Sequence, residues 1–368
     1  MKKRWIVIAL LGAILLTAAA GFVVANERLT LRGAVEQAVM KNPRMKLAEY
    51  GTRKSNLNYD MTEKIADVYR RLLNTVKPVE GEDAMFRFVF IDTVKAESDK
   101  AIAEKQEEIT RHQLAFDAQE SYLRLIKARE QKAIMERSLD RAKDLKRLAD
   151  VAYQTGTVSR SEVMRAEAYV ATMEAANFQL ESAVTISEAT LNMTMGRELT
   201  DSVYLDESFT LPDVGGFDLA SGISRALNNN IDLMKARSGV TIADAALAYT
   251  KFKFGTSDEA YEIAEISKEE AKLYVKLAED RVRLEVFALY QQLAGKEKQL
   301  TALQKSVNLA AENYRLSVLR YELGVATQGE VIDTMLGLSE QEAKLVNEQF
   351  DYYLDYLNWR LKTGLTVN

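Results

Sequence analysis

The sequence predicts an all-α protein: two duplicated long antiparallel coiled-coil helical hairpins. Three observations lead to the hairpins. First, Arg320-Tyr321-Glu322-Leu323-Gly324-Val325-Ala326-Thr327 has a twin in Ala152-Tyr153-Gln154-Thr155-Gly156-Thr157-Val158-Ser159, 168 residues earlier. The same offset carries Glu162-Val163 onto Glu330-Val331 and Gly196 onto Gly364. Self-similarity that keeps register over about forty residues is an internal duplication. Second, only 3 prolines and 17 glycines interrupt 368 residues, and charged residues are interleaved with Ala and Leu, a composition of long helices. Third, Leu300, Val307, Tyr314 and Tyr321 recur every seven residues, with Leu303, Ala310 and Ser317 between them. After the second turn Val331, Leu338, Leu345, Tyr352 and Trp359 continue the period, and Val163, Val170, Asn177, Val184 and Leu191 repeat it in the first copy. A sustained seven-residue period keeps an apolar stripe against a partner helix through a left-handed supercoil.

The elements follow in chain order. Lys2-Lys3-Arg4, an apolar run from Trp5 to Val24 and the small-residue site Val23-Val24-Ala25 read as an export signal over residues 1–25. Cleavage after Ala25 is favoured, since Ala18-Ala19-Ala20-Gly21 weakens the end of the run; left in place, the run is long enough to anchor the chain. Without the three basic residues the net charge goes from −5 to −8, and no basic stripe suits nucleic acid. The first repeat spans residues 26–196. It opens with Leu29-Thr30-Leu31 and a helix carrying Ala34, Val35, Ala38 and Val39, which Asn42-Pro43 interrupts. The opening recurs in the second repeat, residues 217–368, as Leu219, Ile223, Ala226 and Leu227 before Asn230-Ile231.

The first copy carries about twenty extra residues between Gly51 and Phe86, expected as a further helix from about Leu57 to Val76 and a loop over Pro78 to Asp83. Aromatic patches follow, Phe86-Arg87-Phe88 and Phe252-Lys253-Phe254. Then come helices from about Val94 to Tyr153 and Asp258 to Tyr321, rods of roughly 90 Å at about 1.5 Å per residue. Gly156 and Gly324 stand where each rod must stop, because a left-handed residue there costs glycine little. Ser159 and Thr327 stand where a hydroxyl caps the returning helix. Between the repeats, residues 197–216 form a linker with Val203-Tyr204-Leu205, Pro212 and Gly215-Gly216.

No catalytic constellation is present: there is no phosphate-binding glycine loop, no His-carboxylate pair at metal spacing and no nucleophile elbow. Cysteine is absent, and the single histidine, His112, reads as a solvated helix residue. The sequence points to no enzyme and no cofactor. Glu167, Glu174, Glu181 and Glu188 form a column seven apart. It reads as a flank pairing with Lys and Arg on a neighbouring helix or, alternatively, as an acidic strip facing a lumen. The second copy has Met335, Glu342, Gln349 and Tyr356 there. Asn177 on the seam reads as a register-fixing residue.

Taken together, the duplicated turns Tyr153 to Gly156 and Tyr321 to Gly324, the following Glu-Val pairs, the entry helix with Ala38 and Asn42-Pro43, and Leu191-Asn192 with Gly196 resemble the TolC-like outer-membrane efflux family. The resemblance covers nearly all of the mature chain. It implies a homotrimer around a twelve-helix tunnel, located in the outer membrane, the periplasm or at the cell surface. It also implies a periplasmic adaptor (membrane fusion) protein and an inner-membrane pump as partners, for efflux or type I secretion. By position the adaptor-docking tip is Gly156, Thr157, Val158 and Ser159 with Gly324, Val325, Ala326 and Thr327. The departure is the barrel. The family normally carries two membrane strands per copy, each needing about 9–11 residues. Here only Tyr249 to Thr256 and Glu80 to Asp92 are candidates, so the barrel is absent or vestigial. The alternative function is an envelope spacer or scaffold without a lumen.

Overall fold

The computed structural model describes residues 28–75, 83–206 and 216–365; the export signal expected over residues 1–25 lies outside them. In each repeat one long helix carries shorter helices along it, some leading in and one returning. In the first repeat α1 (Leu31–Lys41) leads into α2 (Pro43–Thr75). A short α3 (Asp83–Arg87) and a single π-helical turn (Phe88–Asp92) precede α4 (Thr93–Gln154), and α5 (Arg160–Thr194) returns. The second repeat has α6 (Leu219–Asn229), α7 (Ile231–Phe254), α8 (Glu259–Glu322) and α9 (Gln328–Lys362). The long helices α4 and α8 have 62 and 64 residues, the rods expected from the sequence.

The joints are built alike. Thr30 caps α1 by accepting from the Gly33 amide at 3.0 Å, and Asp218 caps α6 by accepting from the Ser221 amide at 2.7 Å. Asn42 and Asn230 both adopt extended backbone between two helices. Each side chain then accepts from the helix it begins, Asn42 from Arg44 and Asn230 from Leu233. Pro43 fits as the first residue of α2, where its missing N–H would have no partner anyway. One expectation fails here. No separate helix begins near Leu57: α2 runs unbroken from Pro43, because Gly51 costs an exposed helix only about 1 kcal/mol. Val76 and the loop Pro78 to Glu82 lie outside the described residues.

Along the half nearer the glycine turns, α4 and α9 pack centrally, with α5 against α4 and α8 against α9. Along the other half the order is α2, α4, α7, α8. The heptad seams are where they were expected: Leu303, Ser317, Val331, Leu338, Trp359 and Leu191 are buried, and the other seam residues are half-buried. Leu139, Ala142 and Leu145 of α4, Met173 of α5, and Val331, Ile332 and Met335 of α9 form one core. Polar pairs then hold α4 against α9 in antiparallel register. Lys127 meets Asp351 at 2.9 Å, Gln131 donates to Asn347 at 2.7 Å, Ser138 meets Ser339 at 2.6 Å and Arg141 meets Glu342 at 3.4 Å. Sliding either helix would separate all four pairs at once, so the ladder fixes how the two repeats align.

The start of the linker is folded onto the first repeat. Leu29 donates to the Tyr204 carbonyl at 2.6 Å and its own carbonyl accepts from Asp206 and from the Tyr122 hydroxyl. Buried Asn192 donates to the Leu199 and Asp201 carbonyls. The isolated Leu29–Leu205 bridge is the nearest thing to a strand among the described residues. Both candidate membrane strands are mostly helical where described: Tyr249 to Phe254 belongs to α7, with Gly255 and Thr256 outside it, and Asp83 to Asp92 belongs to α3 and the π turn. Only residues 255 to 258 separate α7 from α8, and 76 to 82 separate α2 from α3, both too short for a spanning strand.

Candidate functional site: the paired glycine turns

The two turns are copies in atomic detail. Gly156 has φ 76° and Gly324 has φ 73°. The Gly156 amide donates to Tyr153 at 3.0 Å and the Thr157 amide to Ala152 at 2.8 Å. The Gly324 amide donates to Tyr321 at 2.9 Å and the Val325 amide to Arg320 at 2.9 Å. This pair of bonds satisfies the last helical carbonyls and demands a left-handed residue between them. A Cβ at either glycine would meet nothing within 4 Å, so the requirement is conformational and not steric. Of the eight tip residues, Val158 and Ala326 are half-buried and the other six are exposed.

The turns stand side by side. Arg165 of α5 comes within 3.5 Å of where a Cβ on Gly329 of α9 would sit. Burial first, then the nearby Glu162 carboxylate, holds the Tyr321 phenol above its ordinary pKa. That puts Glu162 of the first copy within electrostatic reach of the second copy's turn tyrosine. Gln328, at the start of α9, is buried with neither amide atom bonded to the protein.

The copies also differ, and the sequence reading missed this. Thr155 and Thr157 of the first turn pair through their hydroxyls at 2.7 Å, whereas the matching Leu323 and Val325 present apolar side chains that are 70% and 64% exposed. Arg320 and Glu330 form an ion pair across the second turn, and the first has Ala152 in the arginine's place. Aligning the two copies shows both substitutions. Capping is unequal too: Thr327 accepts from the Glu330 amide at 3.2 Å, as expected, but Ser159 does not cap α5. Its hydroxyl pairs instead with that of Ser161 at 2.7 Å.

Replacing Gly156 or Gly324 by valine is expected to cost roughly 1–2 kcal/mol each, the penalty of a left-handed backbone. Thermal melting of the two variants checks this; losses well above that range at either turn would mean that packing, not φ, fixes the glycine.

Glu188 meets Arg129 at 2.7 Å and Glu174 meets Lys143 at 3.8 Å, both on α4. Glu167 adds to the field that raises the Lys146 pKa, after Asp150. For these three the contacts match a flank that pairs with the neighbouring helix; Glu181 is exposed. In the second copy Met335 is core and Glu342 pairs with Arg141. The Asn177 carbonyl oxygen is buried without a protein partner. His112 lies 3.9 Å from Glu108, and no grouping of His, Cys, Asp and Glu suited to a metal occurs among the described residues.

No family model and no curated protein matches the sequence. Solved structures do resemble the fold. The Campylobacter jejuni CmeC outer membrane channel is 14% identical, with 91% of this chain and 85% of that chain covered at a TM-score of 0.71. The outer membrane protein VceC from Vibrio cholerae is 14% identical, with 92% and 97% covered at 0.72. The open state of the Neisseria gonorrhoeae MtrE outer membrane channel is 15% identical, with 92% and 89% covered at 0.65. At such identities the likeness is one of fold, and the chain has the helical fold of TolC-like outer-membrane channels that its duplicated turns imply.

Proposed function

We propose that the mature chain is one subunit of a trimeric helical tunnel in the cell envelope, serving efflux or type I secretion. Its paired glycine turns dock a periplasmic adaptor that links it to an inner-membrane pump. The supporting observation is the state of its flanks. On α8, Ile263, Ile266, Leu273, Leu277 and Leu284 lie exposed on one face, and Leu309, Leu316 and Leu323 continue the stripe toward the turn. On the opposite flank α2 exposes Leu47, Leu57, Met61 and Val68, and α5 exposes Met164, Phe178 and Ile186. These spacings, each a sum of threes, fours and sevens, put each set on one helical face. A layer of helices with different apolar stripes on its two edges associates head to tail, and a rotation that closes gives a ring. The fold shared with outer membrane channels supports a ring with a lumen.

Single cysteines at Thr157 and Val325, in a chain that has none of its own, test the docking role by cross-linking in envelopes. Adaptor adducts at both positions, with fewer when Leu323 is also made serine, are expected. Adducts at neither position would remove the docking role. The lack of any strand of spanning length among the described residues favours one competing reading, a spacer with no transport lumen. It predicts no pump or adaptor in any adduct.

A further inference from the structure

The duplication supplies a template for the contact between copies. Within the chain the two repeats meet where α9 lies on α4, and an offset of 168 residues carries α4 onto α8 and α9 onto α5. Burial keeps that offset. Leu114, Ala118 and Leu125 of α4 are buried, and so are Val282, Val286 and Leu293 of α8. Trp359 and Thr363 of α9 are buried, and so are Leu191 and Met195 of α5. In a head-to-tail ring α8 of one copy faces α5 of the next, so that seam corresponds residue for residue to α4 against α9.

The core of the seam within the chain is Leu123, Phe350, Tyr353 and Leu357, with Phe116, Val346 and Leu354 half-buried at its edge. The edge positions stay apolar on the flanks, as Leu284, Phe178 and Ile186, all exposed in the single chain. The centre does not. There Gln291, Ser182, Thr185 and Ala189 stand in place of Leu123, Phe350, Tyr353 and Leu357, each smaller or polar. Phe178 is larger than its counterpart Val346, which works against the two helices closing up over the small residues. The Ser182 and Thr185 hydroxyls already donate to the Phe178 and Glu181 carbonyls of their own helix, at 3.1 and 3.2 Å. They lose no partner when the seam opens.

The polar ladder thins in the same way. Lys127 and Asp351 become Gly295 and Ala183, Ser138 and Ser339 become Ser306 and Ala171, and Arg141 and Glu342 become Leu309 and Glu174. Of the four pairs only Gln131 and Asn347 keep hydrogen-bonding groups on both sides, as Gln299 and Gln179.

We propose that α8 of one copy and α5 of the next pair in the register of α4 and α9, but around a polar, hydrated centre, so that the seam between copies is the one that parts. An apolar edge around such a centre joins copies without the buried core that fixes the two repeats to each other. Each subunit stays whole while the ring exchanges copies along its seams. The proposal rests on the ring reading above; the register and the polar centre go beyond it.

Two experiments on the mature full-length protein test it. The chain has no cysteine of its own, so Gln299→Cys with Gln179→Cys should oxidise to disulfides between copies, seen as covalent oligomers on a denaturing gel. Ser306→Cys with Gln179→Cys, about 10 Å out of register, should not. Ser182→Phe, Thr185→Tyr and Gln291→Leu together copy the in-chain core onto the flanks. All three positions are exposed in the single chain, so its fold tolerates them. Exchange between labelled and unlabelled oligomers should then slow about tenfold or more, at unchanged oligomer mass. Equal or faster exchange, or growth beyond that mass, would overturn the proposal, as would disulfides in the shifted pair or in neither pair. A protein that sediments as one chain before and after the triple substitution contradicts the ring, and this seam with it. An intact three-fold oligomer that fails either experiment contradicts the seam alone.

Discussion

Replacing Leu277 and Leu284 together by glutamate is expected to convert the assembled protein to monomers without loss of helix. The two side chains are 63% and 68% exposed in the single chain, so glutamate there is solvated and good for an α-helix. In a closed ring the same positions meet the next copy. Each lost leucine forfeits roughly 1.5–3 kcal/mol of burial, and each carboxylate entering the interface without a partner adds its desolvation cost. Several kcal/mol per interface shifts association by about a thousandfold or more. Sedimentation velocity measures the mass and circular dichroism the helix content. An unchanged oligomer would show that the α8 stripe does not join copies.

Gly196→Ala should be the most damaging of the glycine substitutions. At the end of α5 its φ is 69°, and a Cβ there would lie 2.9 Å from the Lys41 carbonyl oxygen, where α1 ends. The obstacle is backbone held by its own joint, which includes the Asn42 side-chain Nδ2 donating to the Thr194 carbonyl at 2.9 Å. The left-handed penalty of roughly 1–2 kcal/mol therefore adds to an overpacking cost of about 1–3 kcal/mol. Gly364 repeats the arrangement in the second copy, at φ 69°; there the tip of the Asn229 side chain can turn away, but its Cβ, 2.9 Å off, is fixed by the α6 backbone. Gly324→Ala meets nothing and carries only the conformational cost. The expected order of melting temperature is Gly196→Ala lowest, Gly364→Ala intermediate and Gly324→Ala highest. A Gly196→Ala protein that melts with Gly324→Ala would mean that the α1–α2 joint yields easily.

What the sequence made legible is what local rules govern. A glycine after a tyrosine at the end of a heptad run specifies a left-handed helix stop, and Gly156 and Gly324 make the same bonds. The seams were readable because burial repeats with the supercoil. The reach of α2 was not: Gly51 looks like a boundary until tertiary contact with α4 outweighs it. Ser159 was a sound cap by type, but its neighbour Ser161 competes for the hydroxyl. The apolar flanks of α2, α5 and α8 are heptad stripes too, and periodicity alone does not say whether the partner helix lies in the same chain or the next. The meeting of the Phe86 and Phe252 patches is likewise invisible in one dimension, because those residues come from different repeats. The difference between the two tips was available from aligning Thr155 with Leu323 and Thr157 with Val325.

The most direct test of the tunnel is the shape of the mature protein in solution, by electron microscopy of single particles at a measured mass. The prediction is a hollow particle of three copies with a three-fold axis along the helices, about 90 Å or more in length. A monodisperse single chain, or a solid rod with no axial density minimum, would contradict it.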